Sequence, residues 1–281
     1  MRFLSSLCRH ARLCRWLMLG LLTMLAWPAQ AEPVFSFSVA PQFERRILFG
    51  IWQPIVDELE KRTGQRFELV TSLSVGEYDA DVRRGAYDFV YANPYLMESI
   101  DENPGYIALV RDSQPLHGIL FVRQGSPVKR IEDLQGKSLA VPSMSALGAS
   151  LLLRAELDRQ YGVKMVPLIA KTHSSVFLHV LNGLADAGGS VQKAFAEQDP
   201  RAQGALRILH RTRNVPPHPI AAHRRVPEAI REKVRQAFIA MSASEEGRQL
   251  LARVPMQQAV AATSDEYHVI RGLKLENYLS Q

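Results

Sequence analysis

Ser145 stands at the predicted start of a helix that runs to Tyr161, and this is the clearest place for anion chemistry in the chain. The first N–H groups of a helix have no partner within the helix, and the helix dipole adds partial positive charge there. A serine hydroxyl beside them is a further donor. Such a serine also often acts only as a helix cap, and this structural role stays open. Such a helix start is therefore a natural site for an anion.

Motifs of the common catalytic and nucleotide sites are absent from the sequence. It contains no G-x-S-x-G nucleophile turn, no P-loop and no H-E-x-x-H zinc motif. His210, His218 and His223 are separated by eight and five positions, which is not a zinc-ligand spacing. We therefore predict that the protein is not an enzyme and needs no metal or cofactor.

The first 31 residues have the layout of a secretory signal peptide. Four arginines precede the apolar run WLMLGLLTMLAW, and the triplet Ala29-Gln30-Ala31 follows it. The run is shorter than the roughly 20 residues of a membrane-spanning helix. We expect cleavage before Glu32 and a free periplasmic protein. An uncleaved N-terminal anchor is the alternative.

Cleavage would change the composition markedly. Both cysteines, Cys8 and Cys14, lie in the leader, so the remaining chain would have no disulfide. The formal net charge would fall from +6 to about +2, because four arginines leave with the leader. The basic pI is therefore no sign of nucleic-acid binding, and we expect none.

Hydrophobic periodicity predicts alternating strands and helices. The predicted strands cover residues 34–39, 67–70, 88–91, 106–110, 117–122, 138–141, 165–169, 185–187 and 206–210. The predicted helices cover residues 46–62, 75–84, 145–161, 174–181, 228–241 and 244–254, with a further helix start at Asn93-Pro94 and mainly helical structure to about residue 279. This order indicates an α/β protein whose sheets have helices on their faces.

The same order restarts after residue 124, which predicts two lobes. We expect lobe I to hold residues 32–116 and 217–281, and lobe II residues 117–216. Two neighbouring crossings would form a hinge, and a ligand would bind in the cleft between the lobes.

Several segments resemble a known family. They are YDADVRRGAYDF at residues 78–89, GSPVKRIEDLQGK at 125–137, THSSV at 172–176, VLNGLADAG at 180–188 and VPPHPI at 215–220. These segments are similar to those of the phosphate, phosphite and phosphonate substrate-binding proteins of ABC importers. That resemblance implies the two-lobed type 2 periplasmic binding protein fold, with a mixed sheet in each lobe.

The resemblance also implies a set of ligand-binding residues. Tyr78 and Tyr91 match the first-lobe side of the family's cleft, where tyrosines donate hydrogen bonds, and each is alternatively a packed strand-end residue. Asn93, with Tyr95 near it, begins the next helix and either faces the cleft or caps that helix. His173 matches the family's cleft histidine. Asp186 lies where carboxylates of relatives pair with cationic parts of ligands, or it fixes the backbone.

One segment departs from the family pattern. Relatives hold the phosphonate oxygens with Ser-Thr-Ser-Gly at a helix start, whereas this chain has Ser145-Ala146-Leu147-Gly148. One hydroxyl and the glycine remain, and Ser143 just upstream is a candidate replacement. The helix N–H groups do not depend on these side chains.

The resemblance implies a solute-binding protein that captures a small phosphate-, phosphite- or phosphonate-like anion for the membrane permease of an ABC importer. We expect the protein to be a monomer. Two alternatives stay open. A membrane sensor would read the same closed form in place of the permease. An enzyme on the same fold would use Ser145, His173 and Asp186 for acyl transfer, although no strained turn activates the serine.

Overall fold

The computed structural model describes residues 33–41, 45–100, 102–254 and 256–279. The expected leader and its cleavage site lie outside these residues. In the part of the chain that is described, no helix is both long and apolar enough to cross a membrane.

The described residues alternate between strands and helices, largely as the periodicity predicts. The strands β1 to β11 are Val34–Val39, Arg66–Thr71, Phe89–Tyr91, Tyr106–Asp112, Gly118–Arg123, Ser138–Val141, Val166–Ile169, Ala187–Val191, Leu206–Arg211, Ile220–His223 and Ala259–Ala261. The α-helices α1 to α9 are Arg45–Thr63, Val75–Arg83, Pro94–Ile100, Leu153–Tyr161, His173–Leu181, Gln192–Ala196, Pro200–Gly204, Glu228–Ala243 and Glu245–Leu251. A π-helical segment, Leu147–Leu152, runs directly into α4, and 3₁₀ helices occupy Ile131–Leu134, Ser264–Leu273 and Glu276–Tyr278.

Two mixed sheets, both flanked by helices, organise these elements. The strand order is β11-β4-β10-β3-β1-β2 in the six-stranded sheet and β7-β6-β8-β5-β9 in the five-stranded sheet. In the first, β1 is parallel to β2 and β3, while β10 is antiparallel to β3 and β4. In the second, β6 is parallel to β7 and β8, and β5 is antiparallel to β8 and β9. We call the part built on the six-stranded sheet lobe I and the other part lobe II.

The segments that join the two sheets pair with each other. Leu116 and Val215 exchange two backbone hydrogen bonds, each with an N–O distance of 2.9 Å. The expected boundaries at residues 116 and 217 fall in these joining segments, and the exact division into lobes stays a prediction.

Sequence reasoning misplaced several elements. The predicted strand 185–187 is instead Ala187–Val191, because buried Gly188 and Gly189 pair with β5 despite their low strand propensity. Neither β10 nor β11 was predicted, because both are short; β11 also lies in the C-terminal region that was predicted to be mainly helical. The helix expected from Ser145 begins at Leu147 with the π-helical segment.

This π-helical segment sits unusually close to the five-stranded sheet. A Cβ atom at Gly118 would overlap the carbonyl oxygen of Gly148, and one at Gly189 would overlap that of Ala149. Glycine is therefore required at both strand positions for close backbone approach. These contacts fix the position of the helix start.

The helix that continues from this segment touches both lobes. Leu153 and Leu157 pack in the core of lobe II, whereas Leu147 and Leu151 belong to a buried cluster built mainly from lobe I. Arg159 donates to the carbonyl oxygens of residues 273 and 274 at 2.6 Å, and Arg154 donates to that of Tyr278. The C-terminal 3₁₀ segments thus hold the helix against lobe I.

We predict that Gly189→Ala destabilises the fold. The added methyl group would press on the Ala149 carbonyl oxygen, and overpacking of this kind typically costs about 1–3 kcal/mol. Urea denaturation measures the change in the free energy of unfolding.

Gly50→Ala is the matched control. Gly50 lies within α1, and a Cβ atom there would meet nothing within 4 Å. Alanine is favoured over glycine inside a helix by roughly 0.5–1 kcal/mol, so this variant should gain stability. Equal stability of Gly189→Ala and the wild type would contradict the close approach.

Candidate functional site

A cavity of about 490 Å³ lies between the two sheets, at the carboxyl ends of their parallel strands. Lobe I contributes residues just after β1, β3 and β4, including Pro41, Asn93 and Gln114. Lobe II contributes residues after β6 and β7, including Ser143 and Lys171. Ligands in α/β proteins bind at this edge of a sheet, so the cavity is the candidate site.

Two helix starts of lobe II face the cavity. Ala146, Leu147, Gly148 and Ala149 line it, and no side chain caps the start of this helix. At the second start, the Thr172 hydroxyl accepts only the Ser175 N–H. The remaining first-turn N–H groups are the kind of donors that bind anions at helix starts.

His173 lines the cavity at the second helix start. Its Nδ1 atom lies 2.7 Å from the hydroxyl oxygen of Ser190, a fully buried residue of β8. Burial lowers the pKa of His173 to about 4, so the ring is neutral at pH 7. A neutral ring whose Nδ1 accepts from Ser190 carries its proton on Nε2 and can donate it to a ligand.

His218 contributes a second neutral imidazole from the segment that returns to lobe I. It lines the cavity, and its ring stacks on that of Tyr91 with a centroid distance of 5.4 Å. Burial and, secondarily, His173 lower the pKa of His218 to about 4. His117, on the other joining segment, also lines the cavity, and burial lowers its pKa as well.

Three of the sequence-predicted residues, Asn93, Ser143 and His173, line the cavity together. Asn93 also fills the predicted capping role, because its Oδ1 accepts the Tyr95 N–H at 3.0 Å. Its Nδ2 donates to the Ser145 carbonyl oxygen at 2.8 Å. Asn93 therefore links lobe I to the turn before the first helix start.

The two tyrosines expected on the lobe I side are packed residues. Tyr78 is fully buried, and its hydroxyl donates to the Tyr91 carbonyl oxygen at 2.9 Å. Tyr91 is buried between Trp52 and His218, and burial raises the pKa of its hydroxyl far above the usual value. The expectation of two cleft-facing hydroxyls is thus corrected, and Tyr91 supports the site through the His218 ring.

Asp186 and Ser145 also lie outside the cavity lining. The Asp186 carboxylate accepts from the backbone N–H and the hydroxyl of Ser138, at 2.9 and 2.7 Å. Asp186 directly precedes β8 and Ser138 begins β6, so this contact joins the amino ends of the two strands, opposite the cavity. Ser145 takes part through its carbonyl oxygen, which accepts from Asn93.

Sequence reasoning missed several polar residues of the lining. They are Asp79, His117, Lys193, His218 and Arg253. Burial raises the pKa of Asp79 to about 6, although Arg83 acts in the opposite direction. His218 carried a usable signal, because it lies in the family-like segment VPPHPI at residues 215–220.

The described residues contain no group of three or more histidine, cysteine or acidic side chains that could hold a metal ion. The cavity lining instead combines neutral donors with three cationic side chains, Lys171, Lys193 and Arg253, and three carboxylates, Asp79, Asp112 and Glu197.

The chain matches a known protein family over most of its length. A family model described as "ABC transporter, phosphonate, periplasmic substrate-binding protein" matches residues 37–267.

Solved structures share the fold over most of the chain. A binding protein component of an ABC phosphonate transporter from Pseudomonas aeruginosa has a TM-score of 0.75 at 14% identity, covering 87% of this chain and 86% of that one. PhnD1 from Prochlorococcus marinus, in complex with methylphosphonate, has a TM-score of 0.75 at 14% identity, covering 85% and 96%. A Xanthomonas citri protein bound to chloride ion has a TM-score of 0.71 at 18% identity, covering 85% and 95%. This likeness establishes the type 2 periplasmic binding protein fold.

The buried histidines predict a pH dependence of stability. In the unfolded chain a histidine titrates near pH 6.5, whereas His173 and His218 titrate near 4 in the folded protein. Between these values the unfolded chain binds more protons, so stability falls as the pH is lowered. We expect His173→Asn and His218→Asn each to reduce the loss of unfolding free energy between pH 7 and pH 5 by about 1–2 kcal/mol.

Asp79→Asn should have the opposite effect. The pKa of Asp79 is raised, so the folded protein binds the extra proton between about pH 4 and pH 6 and gains stability as the pH falls. Removing this carboxyl should enlarge the loss of unfolding free energy between pH 7 and pH 5. Urea denaturation at both pH values measures all three variants. Equal pH dependence in the wild type and both histidine variants would refute buried, neutral rings.

Proposed function

We propose a function from the premise that the chain belongs to the phosphonate periplasmic substrate-binding protein family of ABC transporters. Members of this family are periplasmic and are substrate-binding proteins, not enzymes. The protein captures a small phosphorus oxyanion, foremost a phosphonate, in the cavity between its lobes. It then presents the closed form to the membrane permease of an ABC importer.

The observation that carries this proposal is the pair of helix starts that face one cavity. The starts at Leu147 and His173 both direct backbone N–H groups and partial positive charge toward the space between them. A tetrahedral oxyanion has several acceptor oxygens and suits donors that arrive from two directions. The largely apolar walls strengthen such hydrogen bonds by excluding water.

His173 supplies a directed donor in this proposal. When the Ser190 hydroxyl donates a hydrogen bond to Nδ1, the ring proton is on Nε2. The Nε2–H group can then donate a hydrogen bond to the anion. Because the His173 ring is neutral, the protein does not have to keep an unpaired positive charge buried when no anion is bound.

The departure at Ala146 and Leu147 affects affinity more than ligand class. Each hydroxyl lost from the family pattern removes one hydrogen bond to a charged ligand, worth about 1.5–3 kcal/mol. Ser143 lines the cavity and provides one hydroxyl near the same helix start. Phosphonate, phosphite and phosphate share the acceptor geometry and are the ligands to compare.

Closure of the lobes would occur about the paired segments at Leu116 and Val215. The Asn93 bond to the Ser145 carbonyl joins lobe I to the turn that precedes the anion-binding helix start. A ligand held at that start would stabilise the closed form that the permease recognises.

We further propose that the leader is cleaved before Glu32 and that the released protein is a monomer with lobe boundaries near residues 116 and 217. A membrane sensor is the alternative partner, and the family assignment favours the permease.

Thermal unfolding against an anion panel tests the proposal. The panel contains methylphosphonate, phosphite, phosphate and sulfate. A ligand that binds only the folded protein adds about 2.7 kcal/mol of stability at a concentration of one hundred times its Kd. We expect a rise in Tm with at least one phosphorus oxyanion and a smaller rise or none with sulfate. No rise with any member of the panel would overturn the proposal.

The role assigned to Ser190 gives a second prediction. Ser190→Ala removes the hydroxyl that fixes the His173 tautomer, so the Nε2–H form loses its preference. We expect the Kd for the bound oxyanion to rise roughly three- to tenfold, in line with one weakened hydrogen bond. Isothermal titration calorimetry measures the change. Ser38→Ala, which removes another fully buried hydroxyl from a strand of lobe I that does not line the cavity at this position, is the control and should leave the Kd unchanged.

A further inference from the structure

The cavity is much larger than a simple phosphorus oxyanion. Its 490 Å³ would hold roughly sixteen waters at about 30 Å³ each, whereas methylphosphonate fills the space of only a few. The lobes already touch beside this space, because Asn93 bonds to Ser145 and the Lys193 ammonium bonds to the Val254 carbonyl oxygen at 2.7 Å. Much of the cavity therefore remains for a further part of the ligand.

Lys193 lines this remaining space with a half-buried ammonium group. Among the described residues its single hydrogen bond goes to the neutral Val254 carbonyl, and no carboxylate lies within ion-pair distance. Burial, the largest influence, lowers the pKa of Lys193. An ammonium group has three N–H donors, so two of them are available to a ligand.

Arg253 brings a second cation to the same place from lobe I. It lines the cavity and precedes Val254, whose carbonyl oxygen accepts from Lys193. Within the described part of the chain, its guanidinium has neither a hydrogen-bond partner nor an ion pair. Two cationic side chains from opposite lobes thus line the same cavity, and neither forms an ion pair within the described residues.

The nearby carboxylates do not neutralise these cations. Asp112 is buried and already accepts backbone N–H groups from Gln114, Gln257 and Gln258. Glu197 is exposed, and like Asp112 it raises the pKa of Lys193 without forming an ion pair with it. Both carboxylates also line the cavity, but neither forms an ion pair with Lys193 or Arg253, so the two cations are available to an anionic group of a ligand.

We propose that Lys193 and Arg253 form a subsite for a second anionic group, so that the ligand is a phosphonate carrying a further acid on a short linker. This inference rests on the proposed function, which assigns the phosphonate group to the helix starts. A charged group bound between the two cations also bridges the lobes.

The chain limits the length of the linker. Lys193 follows Ser190 by three residues, so their Cα atoms are at most about 10 Å apart. Ser190 contacts His173 at the phosphonate end. A linker of one or two carbon atoms between the two acids suits this separation once the long lysine side chain is included.

Calorimetric titration with matched ligands tests the subsite. Propylphosphonate has a neutral tail, 3-phosphonopropionate has a carboxylate on a chain of similar length, and methylenebisphosphonate has a second phosphoryl group. We expect at least one diacid to bind the wild type roughly ten- to hundredfold more tightly than propylphosphonate. The ranking of the two diacids identifies the second group.

Lys193→Gln and Arg253→Gln should each lower the affinity ratio of the better diacid to propylphosphonate about tenfold. Lys129→Gln removes the same charge from an exposed residue of lobe II that does not line the cavity, and it should keep the wild-type ratio. Tm values confirm that each variant is folded. Arg253 is exposed, so its variant tests the subsite even if Lys193→Gln unfolds.

The outcomes separate this inference from the proposed function. Binding of propylphosphonate without any gain from either diacid overturns the subsite and leaves the proposed function in place. An unchanged ratio in both variants overturns it as well. Equal weakening of all ligands by Lys193→Gln means that Lys193 only joins the lobes, and this also overturns the subsite. Failure of every phosphonate to bind overturns the proposed function itself.

Discussion

The close approach of the π-helical segment to the five-stranded sheet is the constraint on which the site depends. Gly118 and Gly189 leave room for the carbonyl oxygens of Gly148 and Ala149, and this contact sets where the helix begins. The donors at this start are backbone N–H groups, so packing determines their position more than side-chain identity does. This explains how Ala146 and Leu147 can replace hydroxyl residues in the proposed anion-binding segment while the helix start keeps its place at the cavity.

The polar side chains that line the cavity include two kinds of hydrogen-bond donor, neutral imidazoles and cationic groups. The imidazoles of His173 and His218 are neutral at pH 7, because the folded protein holds their pKa values near 4. A neutral imidazole can donate a directed hydrogen bond without carrying a permanent charge. Lys193 and Arg253 are cationic residues, and the proposed second subsite uses their charge. A ligand with two different acidic ends would thus meet two different environments in one cavity.

Much of the fold was predictable from the sequence, and less of the site was. Periodic apolar residues located long helices such as α1 and α8, and the restart after residue 124 indicated the second sheet. Short strands such as β10 carry too few residues for a period to be visible. Sequence reasoning proposed His173, Asn93 and Ser143 as cleft residues, and all three line the cavity. It did not locate Lys193 or Arg253, because residues distant in sequence meet only after both lobes have formed. Tyr78 and Asp186 carried family-like sequence, but their side chains bond to neighbouring strands instead.

The strand order of the six-stranded sheet has a consequence for the order of folding. Its central strand β10 pairs with β3 and β4, yet it follows β4 only after about a hundred residues of intervening chain, which contain the whole five-stranded sheet. Closing so long a loop is slow, while the contacts within the intervening segment are more local. The five-stranded sheet should therefore form first, before the six-stranded sheet that flanks it in sequence is complete. Until β10 arrives, the exposed edges of β3 and β4 are the part of the molecule most open to wrong pairing with another chain.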